Sequence, residues 1–187
     1  MKKVFCMVIL CGVIGSSVFG FIQTPRERTS VEMSYELGPN RLSRLNYGGA
    51  YGITKYWEIG LSGRSFSQNY QQSQSFSVFL NFNYHVVIGD LKVGRSFISE
   101  SHRDPNNELN SIQSTGGDTT VSFYIAPHNE TRPFVKLIWS DLSVGGESAF
   151  SSSTYYGVLH HFNDSWDAAV MTSSSLKNYS LGVTYYL

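Results

Sequence analysis

Tyr179-Ser180-Leu181-Gly182-Val183-Thr184-Tyr185-Tyr186-Leu187 carries an apolar or aromatic side chain at every odd position, against Ser180, Gly182 and Thr184 between them. Successive side chains of a strand point to opposite faces, so this period of two predicts a strand with one greasy and one polar side. The alternation runs to Leu187. A last strand of this kind is expected to pair with the first, leaving no backbone edge unsatisfied.

Working back along the chain, the same period recurs in nine further runs. Val31, Met33, Tyr35 and Leu37 oppose Glu32, Ser34 and Glu36; Leu45, Tyr47, Gly49, Tyr51 and Ile53 oppose Asn46, Gly48, Ala50 and Gly52. Trp57, Ile59 and Leu61 oppose Glu58, Gly60, Ser62 and Arg64. The cleanest run sets Phe76, Val78, Leu80, Phe82, Tyr84 and Val86 against Ser75, Ser77, Phe79, Asn81, Asn83 and His85. Leu91 and Val93 begin a fifth run with Lys92 and Gly94 opposite, but Arg95 falls in the apolar phase, which calls for a bulge or a place at the polar rim. Thr119, Val121, Phe123 and Ile125 make the sixth, and Val135, Leu137 and Trp139 the seventh, with Phe134, Lys136 and Ile138 opposite. The eighth, about 153 to 162, has apolar residues in both phases, so its facing stays open. Trp166, Ala168 and Val170 form the ninth, and Tyr179 to Leu187 the tenth.

Compact connections at 53–57, 87–90, 127–133 and 163–165 are built from Gly, Pro, Asn, Asp or Thr, as tight turns require. They alternate with polar and mostly longer stretches at 68–74, 99–117 and 141–153, expected to be loops on the opposite side.

Met1-Lys2-Lys3, the apolar run Val4 to Leu10 and the small residues near Gly20 read as a signal peptide over residues 1–20, leaving one domain over 21–187. Glycines and serines break the apolar run too early for a spanning helix, and Leu10 before Cys11 does not suit lipoprotein processing. Both cysteines, Cys6 and Cys11, fall in that leader, so no disulfide or thiolate metal site is expected in the remainder. After Gly20, 12 Lys and Arg stand against 14 Asp and Glu, scattered along the chain; nothing here suits a nucleic-acid partner.

Alternation alone fits a soluble sandwich as well as a barrel in lipid. The small and polar character of one face, and the concentration of Tyr, Trp and Phe at the ends of the other, favour lipid, where aromatic girdles sit at headgroup level. The expected fold is all-β, a closed antiparallel up-and-down transmembrane barrel of ten strands, with eight as the alternative and a soluble β-protein as the structural rival. Glu32, Glu36, Glu58, Arg64, Asn81, Asn83, His85, Lys92, Lys136 and Asp167 are expected to face the lumen, and Phe76, Val78, Leu80, Phe82, Tyr84, Leu181, Val183 and Tyr185 the lipid. Charges removed from water must be paired, so a salt-bridged, mostly closed interior is expected, with a narrow polar channel as the alternative.

Tyr51-Gly52-Ile53-Thr54-Lys55-Tyr56-Trp57-Glu58 and Tyr156-Gly157-Val158 followed by Asp164-Ser165-Trp166-Asp167 share the order Tyr-Gly-apolar, turn, Trp-acid. With the aromatic last strand, these stretches resemble the small outer-membrane β-barrel proteins of Gram-negative bacteria, including the OmpA-like barrels; Leu187 stands where that group usually ends in Phe. The resemblance implies a bacterial outer-membrane location and a structural or surface-interaction role; the compact turns suit the periplasmic side of such a barrel, and an even number of strands puts both termini there. The resemblance also implies outer-membrane lipids, lipopolysaccharide and the barrel assembly machinery as partners. A monomer is expected.

His160-His161-Phe162-Asn163 is similar to the His-x-Ser-Asn motif of outer-membrane lipid A deacylases, but Phe162 stands where the nucleophilic serine belongs, so a lipid-modifying enzyme is only a second alternative. Adjacent strand residues point apart, so His160 and His161 do not suit one metal ion. No catalytic residue, cofactor or metal site is expected. His102, Asp104, Glu108 and Asp118 fall in a loop too irregular to place, and Arg41, Arg95 and Arg103 are rim positions where guanidinium could meet lipopolysaccharide phosphate.

Overall fold

The computed structural model describes residues 28–68, 71–104, 107–126, 130–144, 147–175 and 177–187, with side chains described over the same residues except 71, 102–112 and 144. The expected signal peptide and the cut after Gly20 lie outside them. Ten strands follow in order: β1 (Thr29–Gly38), β2 (Leu42–Gly52), β3 (Trp57–Gln68), β4 (Gln71–Val86), β5 (Gly89–Asp104), β6 (Asn107–Ile125), β7 (Thr131–Val144), β8 (Glu147–Asn163), β9 (Trp166–Ser173) and β10 (Tyr179–Tyr186). Each pairs antiparallel with its chain neighbours, and β1 pairs with β10, so the sheet closes into a ten-stranded barrel. The closing register sets Val31 opposite Tyr185, Met33 opposite Val183 and Tyr35 opposite Leu181. Leu187 N–H donates to the Thr29 carbonyl at 2.8 Å, so the seam is paired to the end of the chain.

Burial is the reverse of a water-soluble protein's. Along β1, Val31, Met33, Tyr35 and Leu37 are 48–58% exposed, while Ser30, Glu32, Ser34 and Glu36 are at most 4% exposed. The same inversion holds in β10, where Leu181 is 56% and Thr184 1% exposed. Phe76, Val78, Leu80, Tyr84 and Val183 are exposed on the outer wall, with Phe82 and Tyr185 partly so. Soluble monomers rarely leave apolar patches beyond about 300–600 Å² open to water. An apolar belt around a whole barrel needs acyl chains, not water, as its solvent.

Aromatic rings mark both edges of that belt. At the end where β1 begins and β10 ends, Trp57 packs on Phe82 with centroids 4.9 Å apart, and Trp166 on Tyr185 at 4.6 Å. Toward the other end lie Tyr35, Tyr47, Phe97, Trp139 and Tyr179, all at least 45% exposed.

Two expectations are corrected here. The stretches 68–74, 99–117 and 141–153 are mostly paired strand rather than loop: β3 with β4 and β7 with β8 stay in register until only 69–70 and 145–146 separate them, and β5 with β6 stay in register as far as Arg103 opposite Ser111, beyond which the ladder shifts and Asp104 meets Asn107. β4 to β8 run for 14 to 19 residues, well past the roughly 9–11 that cross a bilayer. Their outward residues beyond the belt are Gln72, Gln74, Ser99, Ser101, Gln113 and Thr115, so the hydrophobic period vanishes while the hydrogen-bond ladder continues. Second, Asp118 is not in a loop but on β6, fully buried. Of the two places open to Arg95 it takes the polar rim rather than a bulge, since the shift in the β5–β6 ladder falls at Arg103/Asp104. The open facing of the eighth run also resolves: Tyr155 and Leu159 are buried, and Tyr156 and Val158 are exposed.

Candidate functional site

Closure of a single sheet turns one side chain in two toward the axis, so each strand contributes alternate residues to the lumen. Of the expected lumen residues, Glu32, Glu36, Glu58, Arg64, Asn81, Asn83, Lys92, Lys136 and Asp167 are buried. His85 shares the inward register of β4 but lies at the mouth rather than inside. Its side chain is 55% exposed, with Nδ1 2.5 Å from Asp90 Oδ1. The strand outruns the enclosure there.

Most of the buried charges form a network along the β1–β5 wall, joined from across the lumen by Asp118 on β6 and Lys136 on β7. Arg44 Nη1 lies 2.6 Å from Glu36 Oε2, and Asn178 Nδ2 donates to Glu36 Oε1 at 2.9 Å, tying β1 to β2 and to the β9–β10 turn. The Arg44 guanidinium stands 5.5 Å from the Phe66 ring centroid. Glu58 pairs with Lys92 and accepts from Asn81 Nδ2 at 2.6 Å. Ser73 donates to Glu100 at 2.8 Å, and Ser62 and Ser77 share a 2.5 Å hydrogen bond. Arg64 lies within electrostatic reach of Glu100, Asp118 and Glu36, and Lys136 of Glu32 and Asp118. Such charges are tolerable out of water because partners surround them.

The β6–β9 wall is different. Tyr124, Phe134, Ile138, Tyr155, Leu159, Ala169 and Met171 form one buried apolar cluster, with Tyr124 and Phe134 ring centroids 5.3 Å apart. Large side chains on one strand are matched by glycine on the next: a Cβ on Gly157 would overlap the Phe134 ring, and one on Gly60 the Phe79 ring. The result is a solid interior. Glu36, Asn46, Asp118 and Leu159 all have 0% exposure, so no water-sized path reaches them.

At the end where β1 begins, Asp90 joins His85 to Arg132, and Arg132 lies 5.5 Å from the Tyr124 ring centroid. His161 points inward to Asp167, whereas His160 points outward, with its Nδ1 2.8 Å from Thr131 Oγ1 and its ring against Phe162. The two histidines therefore lie on opposite faces. Among the described residues no group of three or more His, Cys, Asp and Glu side chains could hold a metal ion.

Arg44 and Glu100 take part in the lumen network although the sequence reading passed over them. Their signal was phase: counting even positions outward from Asn46 and from Lys92 reaches Arg44 and Glu100. The reading lost them because each lies past the last apolar residue of its run.

On the outer wall, two rows of side chains cross β5 to β8. One runs Arg95, Thr119, Trp139, Ser152; the next, one step farther from the end where β1 begins, runs Phe97, Gly117, Asp141, Phe150. Arg95 Nη2 donates to both Asp141 oxygens, at 2.9 and 3.1 Å, and Nη1 donates to Thr119 Oγ1 at 2.9 Å. Arg41 lies in the β1–β2 turn, and the Arg103 side chain lies outside the described residues.

No family model and no curated protein matches the chain. Solved structures do. The N-terminal β-barrel domain of Pseudomonas aeruginosa OprF is 11% identical, covers 87% of this chain and 98% of its own, and superposes with a TM-score of 0.51. KdgM porin is 13% identical over 83% of this chain and 98% of its own, with a TM-score of 0.47. A de novo designed transmembrane β-barrel is 12% identical over 89% and 100%, with a TM-score of 0.41. The OprF similarity is one of fold, between this barrel and an outer-membrane barrel domain.

Proposed function

We propose that this chain is an integral outer-membrane barrel of Gram-negative bacteria with a closed lumen, acting as a non-enzymatic structural or surface-interaction protein. The observation that carries this reading is the combination of an apolar outer belt with lumen side chains at 0% exposure halfway through the barrel. A water-filled pore leaves its lining open to solvent; this lining is shut by ion pairs on one side and apolar packing on the other. The parts built to meet the environment are the β3–β4, β5–β6 and β7–β8 hairpins, which run past the belt as polar paired strands. Outer-membrane lipid and the barrel assembly machinery are the partners such a barrel requires, and the monomer is already closed on itself.

Enzymatic roles are disfavoured on position: His161, its side chain 42% exposed, turns inward to Asp167, while Phe162, at the place of a nucleophile, is 63% exposed on the outer face. The test is single-channel recording of the refolded chain in planar bilayers. The closed reading predicts no stable unitary current. A persistent large conductance would overturn it in favour of a small porin.

A further inference from the structure

We propose that the outer wall over β5–β8 carries a cleft for the sugar headgroup of an outer-leaflet glycolipid; this rests on the reading of the chain as an outer-membrane barrel. The cleft has a volume of about 380 Å³ and is lined by Arg95, Thr119, Trp139, Asp141, Phe150 and Ser152. That volume lies within the range of small-molecule sites, roughly 300–1,000 Å³.

Its height on the barrel selects the ligand. The row below it reads Val93, Val121, Leu137 and Thr154, and the row above reads Ser99, Thr115, Ser143 and Ser148. The cleft thus lies where the apolar belt gives way to polar wall, so a molecule seated there lays acyl chains on the rows below and its headgroup in the cleft.

The chemistry then distinguishes sugar from phosphate. Arg95 is already held two-pronged by Asp141, so an anion entering the cleft meets a carboxylate beside the guanidinium. A neutral polyol meets what it needs: donors from Arg95, acceptors from Asp141, hydroxyls from Thr119 and Ser152, and no net charge. Trp139 and Phe150, 45% and 78% exposed, supply flat aromatic faces for the C–H side of a pyranose ring. Stability does not account for the ion pair, since both side chains are 40% exposed and surface pairs contribute little. Gly117 lets it form: a Cβ there would stand 3.0 Å from Arg95 Nη2 and would press on the Ser96 carbonyl.

The test makes Trp139 the sole tryptophan through Trp57→Phe and Trp166→Phe, then follows its emission in the refolded chain. The probes are deep-rough lipopolysaccharide, the same lipid with its phosphates removed, phosphatidylglycerol, and the delipidated saccharide. We expect a saturable shift with both forms of the glycolipid and at least tenfold weaker binding in Arg95→Ala and Asp141→Ala, with Asp141→Asn as the variant nearest in shape. Heat-modifiable gel mobility reports folding separately, so a folded barrel that does not bind overturns this proposal and leaves the barrel reading intact. Equal binding of phosphatidylglycerol, equal binding of the free saccharide, loss of binding on dephosphorylation, or unchanged binding in the folded Asp141 variants would each overturn it.

Discussion

The two walls of the lumen solve the same problem by opposite means. Between β1 and β5 the interior is closed by charge: Glu36 with Arg44, Glu58 with Lys92, and Glu100 with its serine donor. Between β6 and β9 it is closed mainly by packing, with Leu159 at 0% and Tyr155 at 1% exposure in an ordinary apolar cluster, while Asp118 and Lys136 there face the charges opposite. Both walls exclude water, but they differ in how they fail. A polar network is stable only while every member is present, because removing one partner strands a charge in a dry site. An apolar cluster loses the contacts of the deleted atoms and retains the rest.

The largest effect is expected in the charged wall. Glu58→Ala removes the carboxylate that Lys92 and Asn81 share and should destabilise the barrel by about 3–5 kcal/mol, read as a shift in urea unfolding from lipid vesicles. The paired change Glu58→Met with Lys92→Met should cost clearly less than Glu58→Ala alone, because no charge is left behind. Equal losses in the two would show that the ion pair is not what the wall depends on.

In the packed wall, Leu159→Ala should cost about 2–5 kcal/mol and Ile138→Val only about 0.5–1.5 kcal/mol, graded by the volume removed. Neither should respond to salt. A loss at Leu159 below that of Ile138→Val would mean that the cluster is looser than its burial indicates.

The smallest effect concerns the turn that aligns Glu36 with Arg44. Asn40 and Arg41 both have positive φ, 57° and 58°, and Leu42 N–H donates to the Pro39 carbonyl at 3.2 Å. Two positive φ values in a row make this the mirror-image turn that suits a hairpin and favours glycine at its second central place. Arg41→Gly should therefore raise stability by about 1 kcal/mol or less, measured by the same unfolding assay. A loss would give Arg41 a side-chain role that its exposure does not suggest.

The charged wall was legible in the sequence and the packed wall was not. In β1 and β4 one face is apolar and the other polar, so the facing follows from period alone. In β7 and β8, Phe134, Ile138, Tyr155 and Leu159 are apolar because they meet one another in the lumen, while Val135, Leu137, Tyr156 and Val158 are apolar on the outside. Apolar residues in both phases erase the contrast on which the reading depends. The hairpins beyond the belt fail in the converse way, being polar on the outer face where lipid has ended. Arg95 looked like a misfit in its strand because its partner Asp141 is 46 residues away in the chain, a distance no local pattern spans.

The central claim is that the greasy face looks out into lipid and the polar face into a closed lumen. Residues 21–187 contain no cysteine, so single cysteines can carry a spin label at chosen positions. Labels at Met33 and Leu181 in vesicle-reconstituted protein should relax strongly with dissolved oxygen and weakly with a polar nickel chelate, while labels at the neighbouring Ser34 and Ser180 should be shielded from both. High chelate accessibility at Leu181 together with tight immobilisation would place that side of the sheet in water or in a dry core, and would contradict the account.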